Sequence, residues 1–184
     1  ANKYHFKGGI EGLGKMVNLA TKFKLEMGDI AGFADKLFDI EGAVEMAAQL
    51  QVLGGGWSKL GDPFQLMFKA RNDMEGLTKD IIAATDVTGQ FNKETGEFEI
   101  TALELHRLRE VAKATGMDFN MLSEAAKVAA KSAQIKGRVT GFFSDEEKDF
   151  IASLAQYDNK RKTYVLRIDG SDVPVEEMHK FNKA

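Results

Sequence analysis

A glycine-rich stretch near the start of the chain has the spacing of a phosphate-binding loop. Gly9, Gly14 and Lys15 reproduce the Gly-x4-Gly-Lys pattern, in which backbone amides and a lysine hold phosphates. The next position should carry a hydroxyl for Mg²⁺, but it is Met16, and the residues before the pattern make a poor buried strand. We therefore interpret the stretch as a flexible glycine linker and expect no nucleotide cofactor.

The histidines and the acidic runs do not form a metal or catalytic motif. His5, His106 and His179 are far apart, and none belongs to a His-Glu-x-x-His helix. The run Asp145–Glu147 suits the first turn of a helix, where the dipole favours carboxylates. Asp169–Asp172 is too short for a calcium loop and is typical of a hairpin turn. We name no catalytic, cofactor-binding or metal-binding residue, and we expect neither enzymatic activity nor a small-molecule substrate.

The stretch Leu108–Ala125 has the pattern of a helix-turn-helix. Small and apolar residues fall where two helices would cross, and Gly116 falls in the turn. The positions that would face DNA include Asp118 and Glu124, whose negative charges oppose binding to phosphates. We favour a structural helical corner. A nucleic-acid-binding module that uses the helix pair at 105–131 is kept as the alternative function.

Trp57 is the aromatic residue with two distinct interpretations. It follows the run Gly54–Gly56, which predicts a loop, and an exposed tryptophan in a loop would be a contact residue for a partner. In the second interpretation the side chain is buried within a helix pair, as large aromatic residues usually are. We favour burial.

Glycine content divides the chain into two parts. Eleven of the 18 glycines lie at or before Gly61, and glycine costs a helix interior about 1 kcal/mol relative to alanine. Residues 1–61 are therefore predicted to be a glycine-rich, loosely packed helical segment. Apolar spacing places three helices there, at Met16–Met27, Ile30–Asp39 and Ile40–Leu53.

Residues 62–184 carry clearer helix signals and form the predicted core. Asp62 before Pro63 is typical of a helix start, and the bulky side chains that follow, Phe64, Leu66, Met67 and Phe68, are expected to be buried. Alternating apolar residues predict two hairpins, near 90–100 and 163–175. Further helices are predicted at Leu77–Thr85, Thr101–Thr115, from Asp118, at Ser144–Ala155 and from Glu176.

Taken together, these elements predict a mainly α fold, a multi-helix domain with one or two short β-hairpins. The parts 1–61 and 62–184 are two domains or one continuous domain. The chain begins with Ala1 and no initiator methionine, and the glycine-rich opening favours a segment cut from a longer protein.

Composition excludes several classes of protein. Apolar residues make up 43% of the 184 residues and charged residues 29%, which is typical of a globular chain. The net charge of −3 argues against an overall cationic nucleic-acid binder. The absence of cysteine excludes disulfides and thiolate sites, and no apolar run is long enough to predict a membrane segment in this piece.

Several specific strings occur between Ala47 and Lys131. They are Ala48–Gly55, Gly61–Met67, Ala70–Thr78, Phe91–Ile100 and Leu103–Arg109, followed by the helix pair from Gly116 to Lys131. Together they resemble a recurrent segment of the tail tape-measure proteins of phages and prophages. The likeness covers nearly half of the chain closely. None of the strings is a chemical motif, and the resemblance implies no active-site residue.

The resemblance implies a structural virion protein of the phage tail. Such a protein sets tail length during assembly and leaves the tail with the genome at injection. Its expected partners are phage tail-tube and assembly proteins, or copies of itself, and its expected location is the virion tail, with the host cytoplasm during assembly. Because glycines and hairpins interrupt the helices, we expect a folded segment within a longer ruler rather than one extended helix.

Overall fold

In a computed structural model, which describes residues 6–87 and 89–182, the chain is mainly helical with two small antiparallel sheets. This confirms the predicted fold class. The helices are α1 Ile10–Lys22, α2 Met27–Lys36, α3 Ile40–Leu53, α4 Pro63–Asn72, α5 Met74–Ala84, α6 Ala102–Thr115, α7 Phe119–Arg138 and α8 Asp145–Leu154. Two 3-10 helices are also present, the first at Gly55–Leu60 and the second at Val175–Phe181.

The strands form the two predicted hairpins and one further pairing. Strands β1 Gly89–Asn92 and β2 Glu97–Ile100 make the first hairpin. Strands β3 Gln156–Asp158, β4 Thr163–Ile168 and β5 Ser171–Pro174 make a sheet in the order β3-β4-β5, with both pairs antiparallel. The turn between β4 and β5 holds Asp169 and Gly170 at φ 48° and 79°, the positive angles that a two-residue hairpin turn requires. Strand β3 was not predicted.

The chain divides into two compact units. Of the described residues, unit 1 contains 6–87 together with Ile100–Ala129, and unit 2 contains Gly89–Glu99 together with 130–182. The division predicted near residue 61 does not coincide with this one. Helices on both sides of residue 61 share one core, in which Leu50 of α3 and Leu66 of α4 are both buried.

Unit 1 is a helical domain around one apolar core. Helix α3 packs against α2, α4, α6 and the first 3-10 helix, and α5 packs against α1, α4 and the same 3-10 helix. The glycine-rich segment 1–61, which was predicted to be loosely packed, contributes fully buried side chains to this core, among them Ile30, Phe33 and Leu37. Trp57 is also in the core, with 1% of its surface exposed. The interpretation of Trp57 as a buried residue is therefore confirmed.

Unit 2 has its own smaller core beneath the three-stranded sheet. Tyr164 and Leu166 of β4 are buried there with Ile135 of α7, Ile151 of α8 and Met178 of the second 3-10 helix. The rings of Phe91, Tyr157 and Tyr164 lie beside one another, with centroids 5.1–5.9 Å apart. The aromatic residues thus join the first hairpin to the sheet within unit 2.

Three helix starts predicted from their capping residues are confirmed. The Asp62 carboxylate accepts hydrogen bonds from the backbone N–H groups of Phe64 and Gln65, at 3.0 and 3.3 Å. Ser144 and Glu147 form a reciprocal capping box at the start of α8. Asp118 accepts from the backbone N–H of the third residue after it, at 2.9 Å, at the start of α7.

The bounds of the first helices differ from the prediction Met16–Met27 and Ile30–Asp39. Helix α1 ends at Lys22 because Lys24 takes a positive φ of 56° and the Leu25 N–H bonds back to the Ala20 carbonyl at 2.8 Å. That bond is typical of a left-handed helix end. Helix α2 then begins at Met27 and ends at Lys36.

Three other expectations are corrected. Helix α5 begins at Met74 rather than Leu77, because the Asp73 carboxylate accepts from the N–H of Gly76 at 2.9 Å and caps the earlier start. In α4 the buried face is Leu66 and Ala70, so Phe64 and Phe68 point to solvent and Met67 is half-buried. The helix predicted from Glu176 is instead the second 3-10 helix, Val175–Phe181.

The capping bonds of Asp62 give a first stability prediction. We expect Asp62→Ala to lower the free energy of unfolding by about 0.5–2 kcal/mol, because two backbone N–H groups of α4 lose their acceptor. Asp62→Ser keeps an acceptor oxygen and should lose less. Thermal melting of both variants beside the parent measures the effect. Equal melting temperatures for all three proteins would contradict the capping role.

Candidate functional site

The glycine-lysine pattern at residues 9–15 does not form a phosphate-binding loop. Ile10 begins α1, so Gly14 and Lys15 lie within a helix, and the Lys15 ammonium pairs with the Glu11 carboxylate at 3.2 Å. Backbone amides inside a helix are already bonded to carbonyl groups and cannot surround a phosphate. The interpretation of this stretch as a flexible linker was wrong as well, because it is helical.

The histidines are not brought together as a metal site. His5 lies outside the described residues, and His106 and His179 are both exposed. Within residues 6–87 and 89–182, no group of three histidine or acidic side chains could hold a metal ion. His179 instead contacts the hydroxyl of Thr140, with its Nδ1 atom 2.9 Å from the oxygen.

A polar cleft of about 420 Å³ in unit 2 contains Asp158 and Asp172. The backbone N–H groups of Arg161 and Lys160 donate to the Asp158 carboxylate and hold the pKa of that carboxyl below its usual value. A carboxylate held in this way shapes the turn between β3 and β4.

The predicted helix-turn-helix pair corresponds to α6 and α7, with Gly116 in the left-handed conformation between them, at φ 78°. Beside the start of α7 lies a cleft of about 620 Å³. Glu26, Asp29, Asp118 and Glu124 contribute four carboxylates to its lining, against the single ammonium of Lys24. In a helix-turn-helix protein, this surface would enter the major groove of DNA. The carboxylates here repel the phosphates of a nucleic acid at that surface.

Helix α3 carries an apolar stripe that the other described residues do not bury. Ile40, Val44, Ala48 and Val52 follow one another at four-residue spacing along one side of the helix, and all four are exposed. Val52 has 87% of its surface exposed. A contiguous apolar stripe is more informative than a single exposed residue, since it marks a surface for another molecule.

Two residues of the stripe, Ala48 and Val52, contribute to one wall of a groove between α3 and α6, which we call the α3–α6 groove. Its volume is about 520 Å³. Apolar atoms dominate the lining, and an ion pair between Lys113 and Glu110, 3.1 Å long, belongs to the α6 side. The residues that line it are Ala48, Gln49, Val52, Leu53, Glu110, Lys113 and Ala114.

Arg107 of α6 connects the two walls of this groove. Its Nε atom donates to the carbonyl of Leu53, the last residue of α3, at 3.0 Å. Its Nη1 atom donates to the buried carboxylate of Glu104 at 2.7 Å. A Cβ atom at Gly55 would lie 2.9 Å from the guanidinium, so glycine lets the chain pass close to it. These contacts within the chain fix the end of α3 against α6.

The groove is suited to holding apolar side chains of another protein. Its lining contains neither histidine nor serine, and an apolar centre with charged residues near it is typical of protein–protein interfaces. The sequence did not reveal this surface because α3 is apolar on two sides. Ala43, Ala47 and Leu50 lie on its buried face, and the second, exposed stripe at Ile40–Val52 was not predicted.

No helix among the described residues is both long and apolar enough to cross a membrane. In comparisons with known proteins, no family model, no curated protein and no solved structure matches the chain.

Proposed function

We propose that this chain is a folded structural segment of a phage tail tape-measure protein. In this proposal it takes part in tail assembly and tail-length determination through contacts with other proteins, and it catalyses no reaction. The observation that carries the proposal is the α3–α6 groove. Every residue that lines it lies between Ala47 and Lys131, the part of the chain that resembles tape-measure proteins.

The shape of the helices supports a folded module rather than an extended ruler. The longest described helix, α7, has 20 residues and therefore a length of about 30 Å. A ruler that used the whole chain as one helix would be roughly 280 Å long. The segment therefore adds a binding surface to a longer ruler, within it or at its end, and contributes little to the measured length.

The chemistry of the groove indicates the kind of partner. Val52 and Ala114 present apolar surface, and Glu110 with Lys113 adds a neutral ion pair. An apolar helix or loop of a tail-tube or assembly protein fits this lining, because burying apolar surface contributes about 25 cal/mol per Å². A strongly charged partner finds little complementary charge here.

The experiment is Val52→Lys in the complete tail gene, followed by electron microscopy of assembled particles. We expect the number of complete tails to fall at least about tenfold, because a charge would enter the centre of an apolar contact, where hot-spot residues are worth about 2 kcal/mol or more. The fold should be kept, because Val52 is exposed and surface substitutions change stability by about 0.5 kcal/mol or less.

Phe64→Lys is the matched control. Phe64 is also a large exposed apolar residue on a helix of unit 1, but it does not line the groove. Its substitution should leave tail number and tail length unchanged. Tails of normal number and length with Val52→Lys would contradict the proposal.

The alternative function, a nucleic-acid-binding module, has a separate test. A DNA mobility shift at low salt with a salt titration distinguishes the two, since phosphate binding weakens steeply as salt rises. A salt-sensitive shift would favour the alternative and contradict the structural role proposed for the helix pair α6 and α7. The four carboxylates beside α7 lead us to expect no shift.

A further inference from the structure

In unit 2, specific hydrogen bonds hold the backbone of a loop whose aromatic side chain, Phe142, is exposed to solvent. Phe142 has 95% of its surface exposed. Its backbone N–H donates to the side-chain oxygen of Asn182, and its carbonyl accepts from the Asn182 amide nitrogen, each at 2.9 Å. These two bonds fix the position of the loop at Phe142, although the other described residues cover almost none of the ring.

The neighbouring residues hold the same loop. Gly141 has a φ of 104°, and a Cβ atom there would lie 2.1 Å from the Asn182 oxygen, so only glycine lets the bonds form without strain. The Thr140 hydroxyl donates to the Glu176 carbonyl at 2.7 Å, and the Thr140 N–H donates to the Val175 carbonyl at 3.2 Å. A loop fixed in this way loses little conformational freedom when a partner binds.

Beside this loop lies an apolar groove of about 350 Å³. Phe143, Phe150, Ile151 and Met178 line it together with Glu146 and Glu147. Phe150 and Leu154 are exposed and lie one turn apart on α8. We call this groove lining, together with the exposed Phe142 that precedes Phe143 in the chain, the aromatic patch.

The aromatic patch belongs to an acidic part of the chain. Residues 141–154 contain four acidic residues and one lysine, a net charge of −3, and the Asp149 carboxylate is already paired with Lys136 of α7 at 2.9 Å. The segment that contains α1 has the opposite charge. Residues 7–22 contain three lysines and one glutamate, a net charge of +2.

Helix α1 also has an apolar face that the other described residues do not bury. Ile10, Leu13 and Val17 are exposed, and their spacing of three and four residues places them on one side of the helix over about 10 Å. We call these three residues the α1 face. It has the form of a helix that binds an apolar groove, with the first contact residue, Ile10, exposed to 89%.

We infer that the aromatic patch of one chain binds the α1 face of a second copy. Apolar burial would provide the attraction, and the opposite charges of the two segments would orient the pair. The contact joins two different surfaces, so a bound pair still offers one free aromatic patch on one chain and one free α1 face on the other, and assembly continues from chain to chain or closes into a ring. This inference does not depend on the α3–α6 groove or on the proposed tail function.

The test begins with the self-association of the unaltered chain, which is measured by sedimentation velocity at increasing protein concentration. We expect species larger than the monomer, and weaker association at high salt. Phe142→Ser and, separately, Ile10→Ser combined with Val17→Ser should each weaken association by about tenfold or more. Melting curves establish that each variant is folded, and Phe150→Ser replaces Phe142→Ser if the latter melts early.

Mixing the two variants gives the decisive measurement. The Phe142→Ser chain keeps its α1 face, and the α1 variant keeps its aromatic patch, so the mixture should form a complex of one copy of each that cannot grow further. Phe64→Ser, which alters an exposed phenylalanine outside both surfaces, should associate like the parent. A parent that stays monomeric, or a mixture that forms no complex, would overturn the inference, as would variants that associate as strongly as the parent.

Discussion

Trp57→Ala is expected to lower the free energy of unfolding of unit 1 by about 3–5 kcal/mol, the range found when a buried tryptophan or phenylalanine is truncated. Trp57 is 1% exposed in the core of unit 1, and its 3-10 helix packs against both α3 and α5. The backbone cannot close the resulting cavity easily, because it already lies against α5 at Gly56. A Cβ atom there would be 2.6 Å from the Ala84 carbonyl oxygen. Denaturant unfolding followed by circular dichroism measures the loss.

Two further variants separate the cavity from other causes. Trp57→Phe keeps most of the apolar volume and should cost clearly less than alanine. Phe64→Ala removes an aromatic side chain that is 67% exposed, and it should change the free energy by about 0.5 kcal/mol or less. If Trp57→Ala were no more damaging than Phe64→Ala, the side chain could not be the core element that its burial indicates.

The parts of the fold that the sequence predicted correctly are those determined by neighbouring residues. Asp62 and Ser144 cap their helices through bonds to residues two or three positions away, so the signal is contained in a few letters. The same holds for the turn at Asp169–Gly170, where positive φ angles suit a two-residue hairpin. Helix α3 was predicted with its observed bounds, Ile40–Leu53.

Glycine was the least reliable guide, because its role depends on distant chain segments. We took the early glycines as signs of mobility. In the structure, a Cβ atom at Gly12 would lie 2.2 Å from the Lys7 carbonyl oxygen, and one at Gly42 would lie 2.2 Å from the Lys36 carbonyl oxygen. These glycines let the preceding chain close tightly over the starts of α1 and α3. Composition alone does not distinguish a close approach from a flexible linker.

The candidate site was not predictable for a related reason. The α3–α6 groove joins residues near 50 with residues near 112, and only the packing of α3 against α6 brings them together. Nothing in the letters around Arg107 indicates that its bond to the Leu53 carbonyl connects the two helices. Likewise, nothing in the letters around Phe142 indicates that Asn182, 40 residues later, holds it in place.

Tyr164→Phe is expected to lower the free energy of unfolding of unit 2 by about 1–3 kcal/mol at neutral pH, the usual cost of leaving a buried polar group without its partner. The Tyr164 ring is fully buried, and its hydroxyl donates to the carbonyl of Gly96 at 2.6 Å. Phenylalanine keeps the ring contacts with Phe91 and Tyr157 but removes this donor. Hydrogen exchange of the amides of β4 and circular dichroism during unfolding measure the change.

The same variant should change how stability depends on alkaline pH. Burial raises the pKa of Tyr164 to about 12, and the nearby Glu97 carboxylate adds to the effect. In the unfolded chain a tyrosine ionises near pH 10, so above that pH the unfolded state loses its proton first and the parent loses stability up to about pH 12. Phenylalanine has no proton to lose, so the stability difference between parent and variant should shrink between these two values. A difference that stayed constant across that range would show that Tyr164 ionises equally readily in both states, and that its burial does not control its titration.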